Sequence, residues 1–351
     1  MNERMRHKAL WWMAAALSLS MLLTIMIRVW SGEEKTVSPL PPSADSPQTL
    51  EPSTSDTKIP DQPLWVPVYL STENKVDQIQ LEDYVRGVVA AEMPAEFEPA
   101  ALQAQALAAR TYIVRRWMTD DRSNVPVQDA LVTDTITHQA YQTDEMLLDR
   151  WGSQQYESYY QKIEEAVKAT QGMILTYEKQ PIEALFFSTS NGRTENSEDY
   201  WEQHLPYLRS VESPWDEEIS PRYTKTVSLA KDSVLKALGI SSSLSADSLV
   251  AGMDVTEYSA GGRVKSVRVA GQTFTGREIR EKLQLDSSQF YWKANGNSID
   301  ITTYGYGHGV GMSQWGANGM AKEGYTAEEI VKHYYKGIDI QPWAEIVNIA
   351  N

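Results

Sequence analysis

The apolar positions of the chain change their spacing three times. From Ala9 to Ile27 they are continuous, broken only by Ser18, Ser20 and Thr24. A run of that length matches the roughly 20 helical residues that cross a bilayer core. Arg4, Arg6 and Lys8 precede it, and Arg28 and then Glu33 and Glu34 follow. That charge bias places the N-terminus in the cytoplasm. A cleaved signal peptide is the competing reading, but no convincing small-x-small cleavage site is present and the run is long for such a segment. The reading is therefore a cytoplasmic tail at 1–8, an uncleaved signal anchor at 9–28, and a single-pass membrane protein with its bulk outside. Residues 29–62 then lose nearly all apolar material, and VSPLPPSADSPQTLEPSTSDTKIPDQP reads as a Ser/Pro/Thr-rich flexible tether.

Periodic apolar spacing starts near Leu64. LWVPVYL and VDQIQL alternate as short strands. Leu81, Tyr84, Val85, Val88 and Val89 make an i, i+3, i+4, i+7, i+8 stripe, predicting a helix from Leu81 to Ala91. Met93-Pro94 ends it, because the residue before a proline is pushed out of the α region. A second helix opens at Pro99, which suits a first helical turn. Alanine on nearly every face of that helix predicts close backbone packing and a central, buried position.

Beyond Trp117 the chain is polar and turn-rich. Tyr156, Tyr160, Ile163 and Val167 then predict a helix over Gln154–Thr170 with Gly172 as its C-cap. MILTY and IEALFFSTS read as a hairpin around Glu178-Lys179-Gln180. YTKTVSLA predicts a strand, KDSVLKALG a helix, VKSVRVAGQTFTG a hairpin and GREIREKLQL a helix. These lie in a candidate inserted subdomain at about 221–285. SIDITTYG predicts a strand running into a glycine-rich turn. TAEEIVKHYYKG predicts a helix with Thr326 as N-cap and Gly337 as stop, and WAEIV a closing strand. The fold class expected is α+β, with mixed helices and short-stranded sheets around a groove, and residues 63–351 form the extracytoplasmic domain.

Composition narrows the function. The formal net charge is −15, and nucleic acid is not expected as a partner. Without cysteine there are no disulfides and no thiolate metal sites. Eleven Trp and eighteen Tyr suit glycan recognition, although rings also fill cores.

Three segments carry candidate chemistry. Glu92 stands at a helix C-terminus, the wrong sign for the macrodipole, after the apolar Val-Val-Ala-Ala. Dipole and desolvation both favour the protonated form, which a general acid needs. The alternative is a helix-end ion pair with Arg86, Arg110 or Arg115. Ser188, Thr189, Ser190, Asn191, Gly192, Arg193, Thr194 and Glu195 form a polar loop after a buried strand, with Trp201 beyond it. It reads either as a sugar-binding edge with Trp201 as stacking platform, or as a loop satisfying its own backbone. Gly305, Gly307, Gly309 and Gly311 allow sharp turning and close approach. His308, Ser313 and Gln314 are candidates there to face a cleft, and Arg110 and Tyr112 on the central helix are weaker ones. Ser233-Val-Leu-Lys236 lacks its partner motifs, G-x-S-x-G and H-E-x-x-H are absent, and the glycine run is no phosphate loop.

EDYVRGVVAAEMP with ALQAQALAARTYIVRRW, FFSTSNGRTENSEDYW (Phe186–Trp201) and GYGHGVGMSQWGANGMA (Gly305–Ala321) together resemble the stage II sporulation protein D family, which includes amidase-enhancer proteins. The resemblance spans roughly Leu64 to Val347. It implies a lytic transglycosylase that cuts peptidoglycan glycan strands during engulfment in endospore formers, with the catalytic Glu in AAEMP falling on Glu92. It also implies that the glycine-rich turn forms the wall opposite Glu92, that peptide-stripped strands are preferred, and that stage II sporulation proteins P and M are partners at the septal membrane. In some relatives a His near His138 joins two cysteines to bind zinc. Here only Asp144, Glu145 and Asp149 follow, so no metal or other cofactor is expected and His138 is expected as a hydrogen-bonding residue in the cleft wall. A hydrolytic glycosidase needs two carboxylates, and Glu96 and Glu98 remain open as a second acid. The second hypothesis is a non-catalytic, membrane-tethered glycan binder that recruits or stimulates an amidase.

Overall fold

The alternation in Trp65–Leu70 (β1) buries Val66, Val68 and Leu70, and β1 pairs antiparallel with Lys75–Gln80 (β2). The computed structural model describes residues 63–241 and 243–350. The expected tail, anchor and tether at 1–62 lie outside them, and among the described residues no helix is long and apolar enough to cross a membrane.

Leu81–Glu92 (α1) buries the whole predicted stripe and stops at Met93, whose backbone is extended ahead of Pro94. Pro99–Met118 (α2) starts on its proline, and Ala101, Ala104, Ala106, Ala108 and Ala109 are all buried. The absence of bulk lets many elements approach it. It packs against α1, against the long helix Asp144–Ala169 (α3), against the strand Met173–Tyr177 (β4), and against two C-terminal helices, Gln314–Lys322 and Ala327–Tyr334. Between α2 and α3, Val132–Thr133 (β3) joins β1 in parallel.

Three predicted elements differ. The helix expected from Gln154 begins at Asp144, capped by Thr143, and Gly152 (φ 70°, ψ 160°) breaks it into two segments. The glycine hid the first segment from a single helical period. The hairpin turns at Glu178 and Lys179, both at positive φ, but pairs only through Gln180–Pro181 (β5). One further ladder bond forms, Ile182 N–H donating to Leu175 O at 3.1 Å, and the chain then crosses to Phe186–Phe187 (β6), which pairs in parallel with Met312–Ser313 far along the sequence. The WAEIV strand is a helix, Trp343–Ala350, with Trp343, Ala344 and Ile346 buried at helical spacing. The strand beside β4 is Asp339–Pro342, immediately before it.

After Gly192–Arg193 (β7), Ser197–Tyr200 (α4), Glu212–Ser213 (β8) and Trp215–Ile219 (α5), the chain builds a second core. It holds Thr224–Ala230 (β9), Lys231–Leu238 (α6), Ala246–Ala251 (α7), Asp254–Tyr258 (β10), Val264–Val269 (β11), Gln272–Thr275 (β12), Gly276–Leu283 (α8), Phe290–Asn295 (β13) and Ser298–Tyr304 (β14). Its apolar residues run from Val227 to Ile301, past the expected window of 221–285. Sheets β13-β14-β9 and β10-β11-β12 are antiparallel. The chain goes in and out side by side, with Thr224 paired to Tyr304 and Gly305 N–H donating to Tyr223 O at 2.7 Å. It then returns to the main core through Met312–Ser313 (β15), Gln314–Lys322 (α9), Ala327–Tyr334 (α10), Asp339–Pro342 (β16) and Trp343–Ala350 (α11). The architecture is α+β.

Candidate functional site

The C-terminal end of α1, the Thr133–Ala140 turns, the crossing strand β6 and the glycine-rich turn enclose a cleft of ≈640 Å3. Glu92, Tyr112, His138, Ser188, His308 and Gln314 line it, joined by Phe97, Arg150, Arg222 and Tyr306.

Glu92 is the last residue of α1, half-buried, and among the described residues faces no cation within ion-pair distance. Its Oε1 accepts the Ala140 backbone N–H at 2.9 Å, and its Oε2 lies 3.4 Å from Gln314 Nε2. Burial raises its proton affinity above the ordinary carboxylic-acid range, while these two hydrogen bonds pull in the opposite direction. The ion-pair alternatives are occupied elsewhere. Arg86 bonds Asp83, Arg115 bonds Glu183, and Arg110 bonds Glu82. With Oε1 fixed by a donor, Oε2 is the oxygen left to carry a proton.

The glycine-rich turn forms the facing wall. Gly305, Gly307, Gly309 and Gly311 all have positive φ, and a Cβ at Gly311 would lie 2.0 Å from Leu185 O. Both the conformation and the contact require glycine there. His308 Nδ1 accepts the Val310 N–H at 3.1 Å, so Nε2 carries the hydrogen donated to Phe186 O at 3.1 Å. Burial, with Arg280 and Arg263 nearby, pushes it down to about 3, so it is a neutral wall residue. His138 is likewise held, between Thr133 and the Ser123 carbonyl, and lowered by burial.

Several expected site residues stand elsewhere. Arg110 is fully buried and uses its donors on Glu82, Thr170, Val167 O and Met173 O, clamping α1, α2, α3 and β4 together. Ser190 and Ser313 are fully buried around Asp216, whose Oδ1 accepts Ser190 N–H at 2.8 Å and the Ser313 hydroxyl, and whose Oδ2 accepts Ser190 Oγ–H at 2.8 Å and Ser213 Oγ–H at 2.7 Å. Asn191 donates to Gly261 O at 2.9 Å, and Thr194 bonds Arg209 O and Val211 N–H. Gly192 pairs with Ser213 in the ladder, and Arg193 meets Glu212 on the surface. The self-satisfying loop describes this segment; of the eight loop positions only Ser188 lines the cleft. Glu195 is 2 % exposed, beside Arg263, and with Trp201 borders a neighbouring cavity of ≈650 Å3. Trp201 packs on His308 from behind, ring centroids 5.2 Å apart.

Sequence reading missed Asp216, Arg263, Arg150, Arg222 and Tyr306. Tyr306 sits inside the glycine run and was within reach; the two cleft arginines lie in plain polar stretches without a local pattern. Arg222 stacks over Tyr306 at 4.8 Å, and Arg150 donates to Ala90 O and Gln142. Among the described residues neither has a carboxylate partner at ion-pair distance, so the cleft of this acidic chain carries two guanidinium groups unpaired by carboxylate against one carboxyl. Also among the described residues, no group of three or more His, Asp or Glu is placed to hold a metal ion.

The profile of the stage II sporulation protein family (SpoIID) matches residues 69–177. Stage II sporulation protein D of Bacillus subtilis (strain 168) is 48% identical over 307 residues, covering 88% of this chain and 85% of that protein. Stage II sporulation protein D of Bacillus amyloliquefaciens is 45% identical over 322 residues, 90% of each. The amidase enhancer of Bacillus subtilis (strain 168) is 29% identical over 302 residues, 72% of this chain and 39% of that protein. Identity and coverage of this order mean that the chain belongs to the stage II sporulation protein D family.

Proposed function

We propose that the protein is a peptidoglycan lytic transglycosylase, tethered to the outer face of the membrane by residues 9–28 and acting on the septal wall during engulfment in sporulation. The observation that carries this reading is that, among the described residues lining the cleft, Glu92 is the one carboxylic acid. A hydrolase of either stereochemistry uses a pair of carboxyl groups, whereas intramolecular ring closure needs one. Glu96, the nearest alternative, is exposed and accepts the Tyr159 hydroxyl at 2.6 Å, which lowers its proton affinity. It stays ionised and is no general acid at neutral pH.

Glu92 Oε2–H protonates the glycosidic oxygen between N-acetylmuramic acid and N-acetylglucosamine as the C1–O bond breaks. The Glu92 carboxylate then takes the proton from the muramic C6 hydroxyl, whose oxygen bonds to C1 and closes the 1,6-anhydro ring. The acid is restored and no water is consumed. Arg222, Arg150, Ser188 and Gln314 supply polar contacts to the strand, and Tyr306 and Phe97 supply rings. Stage II sporulation proteins P and M are the proposed partners, with peptide-stripped strands the proposed substrate.

A second reading, a tethered glycan binder that stimulates an amidase, draws on the similarity to the amidase enhancer. One digestion separates them. Full-length protein in detergent is incubated with peptide-free glycan strands and the products are weighed by mass spectrometry. Anhydro-muramic ends from wild type and none from Glu92→Gln are expected. Reducing ends would identify a hydrolase, and intact strands that remain bound would favour the binder.

A further inference from the structure

One end of the cleft continues onto a surface of linked aromatic rings. Trp151 meets Tyr159 edge-on at 5.6 Å and Tyr156 at 6.2 Å, and Tyr156 meets Tyr160 at 5.4 Å. None of the four is fully buried. In an unbroken helix, positions 151 and 156 point to different faces. The positive-φ backbone of Gly152 swings the first segment of α3 so that Trp151 lies against the rings of the second. Arg86, stacked over Tyr160 at 4.7 Å, pins the far end of the group.

This surface joins the cleft at two points. Arg150, the residue before Trp151, lines the cleft and is held by Ala90 O at 3.1 Å and Gln142 Oε1 at 2.9 Å. The Tyr159 hydroxyl is bonded to Glu96, which sits between the cleft residues Pro94 and Phe97. The exposed positions interleaved with the rings are Gly152, Ser153, Gln154, Gln155, Glu157 and Ser158, mostly amides and hydroxyls, and the one carboxylate among them accepts a hydrogen bond from Gln161 Nε2. Rings set among amides and hydroxyls suit a neutral polyhydroxyl polymer better than an apolar protein surface, because the C–H faces of a pyranose stack on rings while its hydroxyls need donors and acceptors.

We infer that Trp151, Tyr156 and Tyr159 form distal subsites for the same glycan strand, so that strands long enough to leave the cleft along α3 are bound more tightly than short ones. This rests on the glycan reading of the cleft and not on its chemistry.

Binding is measured in the full-length Glu92→Gln background, where no strand is consumed, by calorimetry with peptide-free strands of two and of about eight disaccharides. The readout is the ratio of long-strand to short-strand affinity. Trp151→Ala and Tyr156→Ala are each expected to weaken the long strand about three- to tenfold, the range for losing one aromatic contact, with the short strand unchanged within about twofold. Trp151→Phe, which keeps a ring against the core, is expected to recover part of the loss. The ratio is read on variants whose thermal transition matches the parent, Tyr156→Ala being the milder truncation. An unchanged ratio in Tyr156→Ala and Trp151→Ala overturns the inference. Wild-type protein that binds in this length-dependent way yet leaves strands uncut would retain the distal subsites and discard the transglycosylase; cutting without length dependence would do the reverse.

Discussion

Glu92 and Glu195 are both carboxylic acids whose proton affinity burial raises, and they sit on opposite sides of the His308 wall. Glu195 is pushed up to about 7 against the pull of Arg263, and its Oε1 accepts Ser259 Oγ–H at 2.9 Å with Arg263 Nε at 3.6 Å. A Cβ at Gly261 would come within 2.1 Å of that oxygen, so the Gly261 backbone packs closely on it. Glu92 has one firm backbone donor, one long contact to Gln314 and an open cleft in front of it. Arg263 in turn donates to Gly307 O at 2.8 Å, and Glu195 N–H donates to Gly309 O at 2.8 Å, so this pair fixes the backbone on both sides of His308. A raised proton affinity therefore marks two different jobs: one acid is free to give its proton to something outside, the other holds a wall in place.

The largest expected effect separates these jobs. Glu92→Gln keeps the size of the side chain and an oxygen to accept the Ala140 N–H, but has no proton to give, so scission is expected to fall by about 10²–10⁴-fold, the usual worth of a general acid, with the thermal transition no lower than wild type. Because the folded protein raises the Glu92 proton affinity, its contribution to stability is full below the unfolded pKa and lost as pH rises through the folded one. The Gln variant escapes that loss, and melting curves at pH 5 and pH 8 are expected to lie closer together than those of wild type. A variant that melts well below wild type at both pH values would mark Glu92 as structural.

Arg263→Met is the converse experiment and comes next in size. It strands Glu195 without its counter-charge in a site where both side chains are 1–2 % exposed. Removing one member of a buried pair costs about 3–5 kcal/mol. The remaining carboxyl then has its proton affinity raised further, and the sign is the same as for any raised acid: the protein is least damaged at low pH and loses stability as pH rises through the shifted value. Chemical denaturation at pH 5 and pH 8 checks this. An equal loss at both would mean that the Arg263 contacts to Ser287 and Gly307 O, and not the charge, carry the stability.

The helices that position Glu92 were legible because their information is local: the stripe of α1, Met93-Pro94 and Pro99 each act on their own few residues. The same holds for Thr326, the expected N-cap, which in the structure also closes a capping box with Glu329. The Ser188–Glu195 segment was legible only as a polar loop, since what decides its role is Asp216, more than twenty positions away in the chain and unmarked by any pattern. Once Asp216 takes Ser190 and Ser313 as donors, those hydroxyls are spent inside the protein. Tertiary partners likewise turned Arg110 into a clamp. The hairpin after Lys179 failed for a similar reason: Phe186 and Phe187 find a better strand partner in Met312 and Ser313, which no local rule can supply. WAEIV, five residues of mixed apolar character, fits either period and was settled by Pro342 ending the strand before it.

The smallest expected effect tests the comparison most finely. Among the described residues Gln314 is the one side chain that donates to Glu92, and at 3.4 Å its contribution is weak. A hydrogen bond to the ionised form favours that form, so Gln314→Ala is expected to raise the Glu92 proton affinity further. Activity that depends on protonated Glu92 falls as pH rises through its pKa, and the alkaline limb of the kcat profile is therefore expected to move to higher pH. The plateau should fall no more than about fivefold, the scale of one ordinary hydrogen bond. Glu195→Gln, assayed below its own melting transition, should lower the plateau by loosening the His308 wall but leave the limb where it was. If the limb instead disappears with Glu195→Gln and ignores Gln314→Ala, the acid that titrates in catalysis is the one behind the wall, and the assignment of the two carboxyl groups must be exchanged.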